Sequence, residues 1–167
     1  MSVNPPIRFK KRAVEDEALA WRILEKCNSV TLSLAAPDGA PYGVMVSHVL
    51  VGKTLYFHCA QSGRKLDILR QNSRVCVTGV LAQRPRPDFD VDYISVTAFG
   101  QASPVKSGDE LRCGLIAICD KHCPGMDFEP TLQADTHRVA LWRIALSEAT
   151  AKAQWPEPIT VNLLEAF

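Results

Sequence analysis

The sequence has no surplus of either charge. Nineteen Lys and Arg stand against eighteen Asp and Glu, a formal net charge of +1, which leaves no electrostatic footprint for nucleic acid or an acidic membrane surface. Long apolar runs are missing too. The opening MSVNPPIRFKKR lacks the apolar core of a secretory signal, and no later stretch approaches the ~20 apolar residues of a membrane span. A cytoplasmic chain that binds a small molecule, with no nucleic-acid or membrane partner, is the expectation. There is no GxGxxG or GxxxxGK[ST] loop, which excludes the sequence signals of the dinucleotide fold and the P-loop. Internal repeats and low-complexity segments are absent as well.

What is present fits one domain spanning residues 1–167. A chain of this length buries roughly 68–70% of its unfolded surface without disulfide staples. The six cysteines, Cys27, Cys59, Cys76, Cys113, Cys119 and Cys123, therefore read as thiols of a reducing compartment. Only CDKHC raises a metal question, since Cys119 and Cys123 share a helix face. Without a second CxxC the ordinary reading of apolar-face cysteines prevails, and no metal is expected.

The elements follow in a consistent order. AVEDEALAWRILEKC (13–27) has acids in its first turn and Leu19, Ile23 and Cys27 on one face, the pattern of an amphipathic helix. VTLSLAA (30–36), an Asp38-Gly39 turn and YGVMVSHVLV (42–51) predict a hairpin. After Val51-Gly52-Lys53 comes TLYFHCA, expected as the third strand of a meander. Ser62 is positioned to cap a short helix that ends near Asn72. SRVCVTGVL (73–81) reads as a strand, and AQRPRPDFDVD (82–92) as an exposed loop with solvated Arg84 and Arg86. YISVTAFGQASPV (93–105) is a strand. Ser107 and Glu110 form a capping box opening a helix that Pro124-Gly125 stops. HRVALWRIAL (137–146) is a sixth strand, and the tail has no strong period. Turn signals every 8–12 residues favour an antiparallel barrel with helical caps over a parallel βαβ sheet.

The segment LYFHCAQSGRKLDIL (55–69) raises the sharpest chemical question. It sets Arg64 and Lys65 in the first turn of a helix, where each cation is disfavoured by about 0.3–1 kcal/mol. A bound anion, most simply a phosphate, would compensate both. Small Cys59 and Ala60 let a ligand approach the backbone, and Gly63 permits the turn. The bland alternative is two cations facing solvent.

PYGVMVSHV, LYFHCAQSGRKLDIL, RVCVTG and YISVTAFGQA, in this order, resemble the FMN-binding split barrel of the pyridoxamine phosphate oxidase-like superfamily, in its nitroimidazole-resistance (Nim) branch. The likeness runs from about Arg12 to about Thr150. It implies a mainly β, six-stranded antiparallel split barrel with helices, with a core over about 12–150 and peripheral tails. It also implies FMN as cofactor and a homodimer with flavin sites at the subunit interface. Carried over, the phosphate grip falls on Ser62, Gly63, Arg64 and Lys65. The flavin ring lies against the backbone of Val46, Ser47 and His48, and the ribityl chain passes His58, Cys59 and Ala60. Tyr93, Ser95 or Trp142 would come from the partner chain. Bland roles stand beside these: His58 and His48 as hydrogen-bonded wall histidines, Trp142 as a core or interface residue. Val44 stands where the oxidase members carry an arginine, which lightens the phosphate grip and argues against oxidation of pyridoxamine phosphate.

The implied activity is FMN-dependent oxidoreduction. Electrons from NAD(P)H or another donor pass to a small electron-poor acceptor of nitroaromatic or quinone type, and the catalytic residues are unassigned because the cofactor carries the redox step. The other reading is a non-catalytic flavin or haem carrier or sensor, with His48, His58, His122 and His137 as candidate axial ligands.

Overall fold

A computed structural model describes residues 7–106 and 108–167. Its framework is one antiparallel sheet of eight strands: β1 (Ala13–Val14), β2 (Ser29–Ala35), β3 (Pro41–Ser47), β4 (Val49–Val51), β5 (Thr54–Ala60), β6 (Arg74–Pro85), β7 (Val91–Val105) and β8 (Val139–Gln154). The order across the sheet is β3-β2-β6-β7-β8-β5-β4, and β1 joins β8. The sheet curls so that β3 and β4, its two ends in the pairing order, adjoin through His48. This is the curled antiparallel sheet of a split barrel, with more strands than the six expected.

The helices are α1 (Glu17–Lys26), α2 (Arg64–Gln71), α3 (Asp109–His122), α4 (Glu129–Asp135) and α5 (Val161–Leu164). Helix α1 begins later than its acidic pattern suggested because Asp16 caps it, accepting from the Ala18 amide at 2.8 Å. Its Ile23 and Leu24 are fully buried. The barrel interior is filled by alternate residues of each strand, among them Val30, Leu32, Leu55, Phe57, Val77 and Ile144. A second apolar cluster lies where α3 covers the outer face of β5 and β8, around Leu115, Ile118 and Leu141.

Several expectations change. The strand expected over 42–51 breaks at His48, whose ring is fully buried. β5 is not the third strand of a meander: it pairs with β4 and with β8, where Phe57 faces Trp142. In the stretch 82–92 the exposed loop is confined to 86–90, while 82–85 extend β6 and 91–92 open β7. β6 and β7 continue as a ladder to Pro85↔Val91, because Asp92 is buried and takes the Arg84 Nε–H at 2.9 Å. Arg84 and Arg86 are thus ion-paired to one carboxylate instead of merely solvated. Gly63, not Ser62, is the N-cap of α2. The expected Ser107 cap lies outside the described residues, and α3 starts from Gly108 at φ 85 with no side-chain cap. The tail forms α5, anchored by the fully buried Leu164.

Candidate functional site

The corner between β5 and α2 is built around one glycine. Gly63 has φ 137 and ψ 162, a region that only glycine occupies without strain. A Cβ there would have nothing within 4 Å, so its surroundings are open. The Gly63 carbonyl accepts from the amides of Leu66 (2.8 Å) and Asp67 (3.2 Å), which starts the helix. No side chain caps the first turn, leaving amino-terminal N–H groups available at the positive end of the helix.

Both cations sit at that end. The Arg64 guanidinium carbon lies 4.9 Å from the Tyr42 ring centroid, a cation–π contact with β3. Among the described residues neither Arg64 nor Lys65 has a carboxylate partner. Burial holds the His58 imidazole below its usual pKa, helped by positive charge from His122 and Lys65. Burial also raises the Cys59 thiol, which Lys65 opposes. Lys65, His58 and Cys59 are therefore electrostatic neighbours, and Ala60 and Ser62 are exposed beside them. The structure brings Ala60, Ser62, Gly63, Arg64 and Lys65 together in one open, positive corner.

The three β3 positions behave differently from one another. Val46 is in the core, Ser47 is exposed, and β3 is an edge of the sheet. His48 turns inward. Its Nε2 lies 3.0 Å from the Leu24 carbonyl at the end of α1; a carbonyl only accepts, so Nε2 carries the hydrogen. Its Nδ1 is buried without a partner. Burial lowers the His48 pKa to about 4, aided by the Lys121 charge, so the ring is neutral. The His48 carbonyl accepts from His122 Nε2 at 2.9 Å. The ring and the carbonyl of His48 are thus both engaged within the fold.

Tyr93 and Ser95 are not brought to the corner by one chain. Tyr93 faces Gln154 on β8, whereas β5 reaches only as far as Ala145; those positions are separated by roughly 30 Å of strand at ~3.3 Å per residue. The Tyr93 ring carries the Arg12 guanidinium at 5.8 Å, and the Ser95 hydroxyl lies 3.5 Å from the Lys152 carbonyl. Trp142 is 4% exposed, between Phe57 and Pro104 in the ladders.

Two features had no counterpart in the sequence reading. His58, on the outer face of β5, lines a cavity of about 130 Å³ with Leu115, Ile118 and Cys119 of α3 and Leu132 of α4. Lys121 fastens α3 to the end of α1. Its ammonium donates to the Glu25 carbonyl at 2.7 Å and the Cys27 carbonyl at 2.8 Å. The i, i+4 spacing of Cys27 and Ile23 exposed the apolar face of α1 but carried no signal for a lysine 94 residues away. In CDKHC, Cys119 lines the small cavity while His122 is bound to His48. No group of three metal-ligating side chains occurs among the described residues.

A family model described as pyridoxamine 5'-phosphate oxidase matches residues 16–153. The chain belongs to the pyridoxamine 5'-phosphate oxidase family. The matched span runs from the α1 cap to the end of β8 and includes the whole Gly63 corner. No curated protein matches. Among solved structures, the flavocytochrome Anf3 from Azotobacter vinelandii is similar at TM-score 0.75 and 20% identity, over 97% of this chain and 78% of that one. A protein assigned to 5-nitroimidazole antibiotic resistance, from Bacteroides thetaiotaomicron, aligns at TM-score 0.71 and 22% identity over 84% and 86% of the two chains. An FAD- and haem-binding protein from Mycobacterium smegmatis aligns at TM-score 0.70 and 21% identity over 93% and 79%. At these identities the likeness is one of fold. No helix among the described residues is long and apolar enough to cross a membrane.

Proposed function

We propose that this chain binds a flavin, FMN, and acts as an oxidoreductase that passes electrons from NAD(P)H to a small electron-poor acceptor of nitroaromatic or quinone type. The observation that carries the reading is the Gly63 corner, where an uncapped helix start and the two cations Arg64 and Lys65 have, among the described residues, no carboxylate to neutralise them. Such a donor set matches a phosphate dianion, which takes charge-assisted bonds from both side chains and from free amides. The family membership and the flavin-binding proteins among the similar structures support it. A bound flavin supplies two-electron redox chemistry. The chain's own part is to hold the phosphate at Ser62–Lys65, to offer the backbone of Val46 and Ser47 on the β3 edge, and to pass the ribityl chain along the β5 end at His58, Cys59 and Ala60. Val44 gives β3 no cation, so oxidation of pyridoxamine phosphate is not part of the reading.

A second copy completes the proposal. The outer face of β2, β3, β6 and β7 presents Thr31, Met45, Thr78 and Thr97 in one cross-strand row, with Cys76 and Phe99 in the next. This row is uncharged and partly open, and Met45 is 59% exposed, as suits a self-complementary interface. Such a homodimer would let the partner supply Tyr93 or Ser95, whereas Trp142 is buried within its own chain.

The test is the absorbance spectrum of the purified chain, FMN titration, and NAD(P)H oxidation with a nitroaromatic or quinone acceptor. Flavin bands, saturable binding and acceptor-dependent oxidation are expected. A colourless chain that shows no spectral change with FMN overturns the reading.

The haem carrier is a second reading, favoured by the haem-binding protein among the similar structures. His48 and His122 are already engaged, so it would rest on His58 or His137. Haem addition that gives a Soret band lost in His58→Ala or His137→Ala would establish it, and no band would remove it.

A further inference from the structure

Tyr42 belongs to β3, yet its ring meets the first residue of α2. Alternation along β3 sets Tyr42, Val44 and Val46 on the inner side of the strand, where Val46 is buried and the Tyr42 side chain packs against the core. Tyr42 stands opposite the buried Leu34 in the β2–β3 ladder. Packing at its base therefore fixes the ring. No hydrogen bond to its hydroxyl occurs among the described residues, so the ring face is what Tyr42 offers to its surroundings.

That face carries the Arg64 guanidinium, at 4.9 Å from the ring centroid. Arg64 is exposed and has no carboxylate partner among the described residues. A guanidinium held over a ring engages the π face and keeps the N–H groups along its edge free, the fork that takes a phosphate bidentately. The helix itself is fastened to the same hairpin. Leu66, Ile68 and Leu69 are buried, and beyond its last turn the Asn72 amide donates to the Ala35 carbonyl at 3.0 Å. Ala35 pairs with Pro41, the neighbour of Tyr42. The β2–β3 hairpin thus holds α2 at both ends, by Asn72 at one and by the Arg64–Tyr42 contact at the other.

We propose that Tyr42 is a positioning residue, whose ring presets Arg64 to grip a phosphate monoester at the Gly63 corner. The inference rests on the phosphate reading of that corner given above. Without the ring, the long Arg64 side chain has to be ordered when the ligand arrives, which weakens affinity by about two- to tenfold.

Fluorescence titration with FMN and with riboflavin, which lacks the phosphate, tests it together with the NMR signal of the Arg64 Nε–H in the flavin-free chain. Tyr42→Leu should weaken FMN binding about two- to tenfold and leave riboflavin binding unchanged. Tyr42→Phe should match the wild type, and in an Arg64→Ala background Tyr42→Leu should change nothing further. In the wild type the Arg64 signal should lie upfield, displaced by the ring, and should move on addition of inorganic phosphate. That measurement decides the matter should Tyr42→Leu not fold.

The inference is overturned by unaltered FMN affinity in Tyr42→Leu, by an equal loss for riboflavin, by a loss in Tyr42→Phe as large as in Tyr42→Leu, by the same loss in the Arg64→Ala background, or by an Arg64 signal without the ring displacement. A wild type that binds neither flavin, while its upfield Arg64 signal moves with phosphate, overturns the flavin reading alone. One whose Arg64 signal also ignores phosphate overturns both.

Discussion

The ammonium of Lys121 donates to the carbonyl of Cys27 at 2.8 Å, across 94 residues of chain. That bond, with its companion to Glu25, satisfies carbonyls that the end of α1 leaves open. It also brings a positive charge within 3.5 Å of His48 Nε2, at the point where β3 gives way to β4. Burial lowers the Lys121 pKa and raises that of the Cys27 thiol to about 11, so neither charge is cheap to keep here. One lysine thus joins α1, α3 and the corner of the sheet.

Lys121→Met keeps the aliphatic stem and removes both bonds. Hydrogen bonds from a charged donor are worth roughly 1.5–3 kcal/mol, and with partial exposure a loss of about 1–3 kcal/mol is expected in urea unfolding. A change below about 0.5 kcal/mol would show the clamp to be incidental.

His48 makes stability depend on pH. Its folded pKa, about 4, lies below the unfolded value of about 6.5. The unfolded chain therefore binds more protons in this range, and stability rises with pH. The contribution is complete above about pH 6.5 and is lost as pH falls towards 4, by roughly 2 kcal/mol at pH 5. Denaturant unfolding between pH 5 and 8 should show that slope in the wild type and a flatter one in His48→Leu.

Two glycines on the sheet should respond oppositely to alanine. At Gly100, beside a register shift, a Cβ would stand 2.4 Å from the Ala145 carbonyl oxygen, so backbone must move, at a cost of about 1–3 kcal/mol. At Gly43 the nearest atom would be Thr31 Cγ2 at 3.6 Å, ordinary contact. Gly43→Ala should be neutral or stabilising by about 0.5–1 kcal/mol. Thermal unfolding of the two variants separates the cases.

Arg64→Ala with Lys65→Ala should weaken FMN binding by at least ~2 kcal/mol if both make charge-assisted bonds to the phosphate. Fluorescence titration reads this directly. Unchanged affinity would place the phosphate elsewhere.

Asp92→Ala should loosen the far end of the β6–β7 hairpin. It removes the carboxylate shared by Arg84 and Arg86. Both arginines keep contact with water, so they are not left as buried charges, and the expected loss is about 1–2 kcal/mol. Proteolysis within residues 85–91 should rise ahead of global unfolding.

Much of the fold was legible before any coordinates. Alternation in 30–36, 73–81 and 93–105, the Asp38-Gly39 turn and the apolar face of α1 carried the strands, the turn and the helix, because each depends on neighbours in sequence. The 82–92 stretch misled at its ends only: 86–90 is the exposed loop its prolines and charges suggest, but 82–85 and 91–92 join the ladder, where Asp92 meets Arg84 and Arg86. The cap of α2 misled in a similar way. Ser62 is a good cap by type, but the backbone turn falls one residue later, at the glycine that can adopt φ 137.

The sequence by itself determined the parts of the Gly63 corner: a glycine, two adjacent cations and small residues before them lie within eight positions, and local chemistry suffices to read them. Only the tertiary structure decided that His48 faces the Leu24 carbonyl, that β5 joins β8, and that Lys121 reaches the end of α1. Those outcomes turn on contacts between residues distant in the chain, and a periodicity of two or 3.6 holds no record of which distant surface a face will meet.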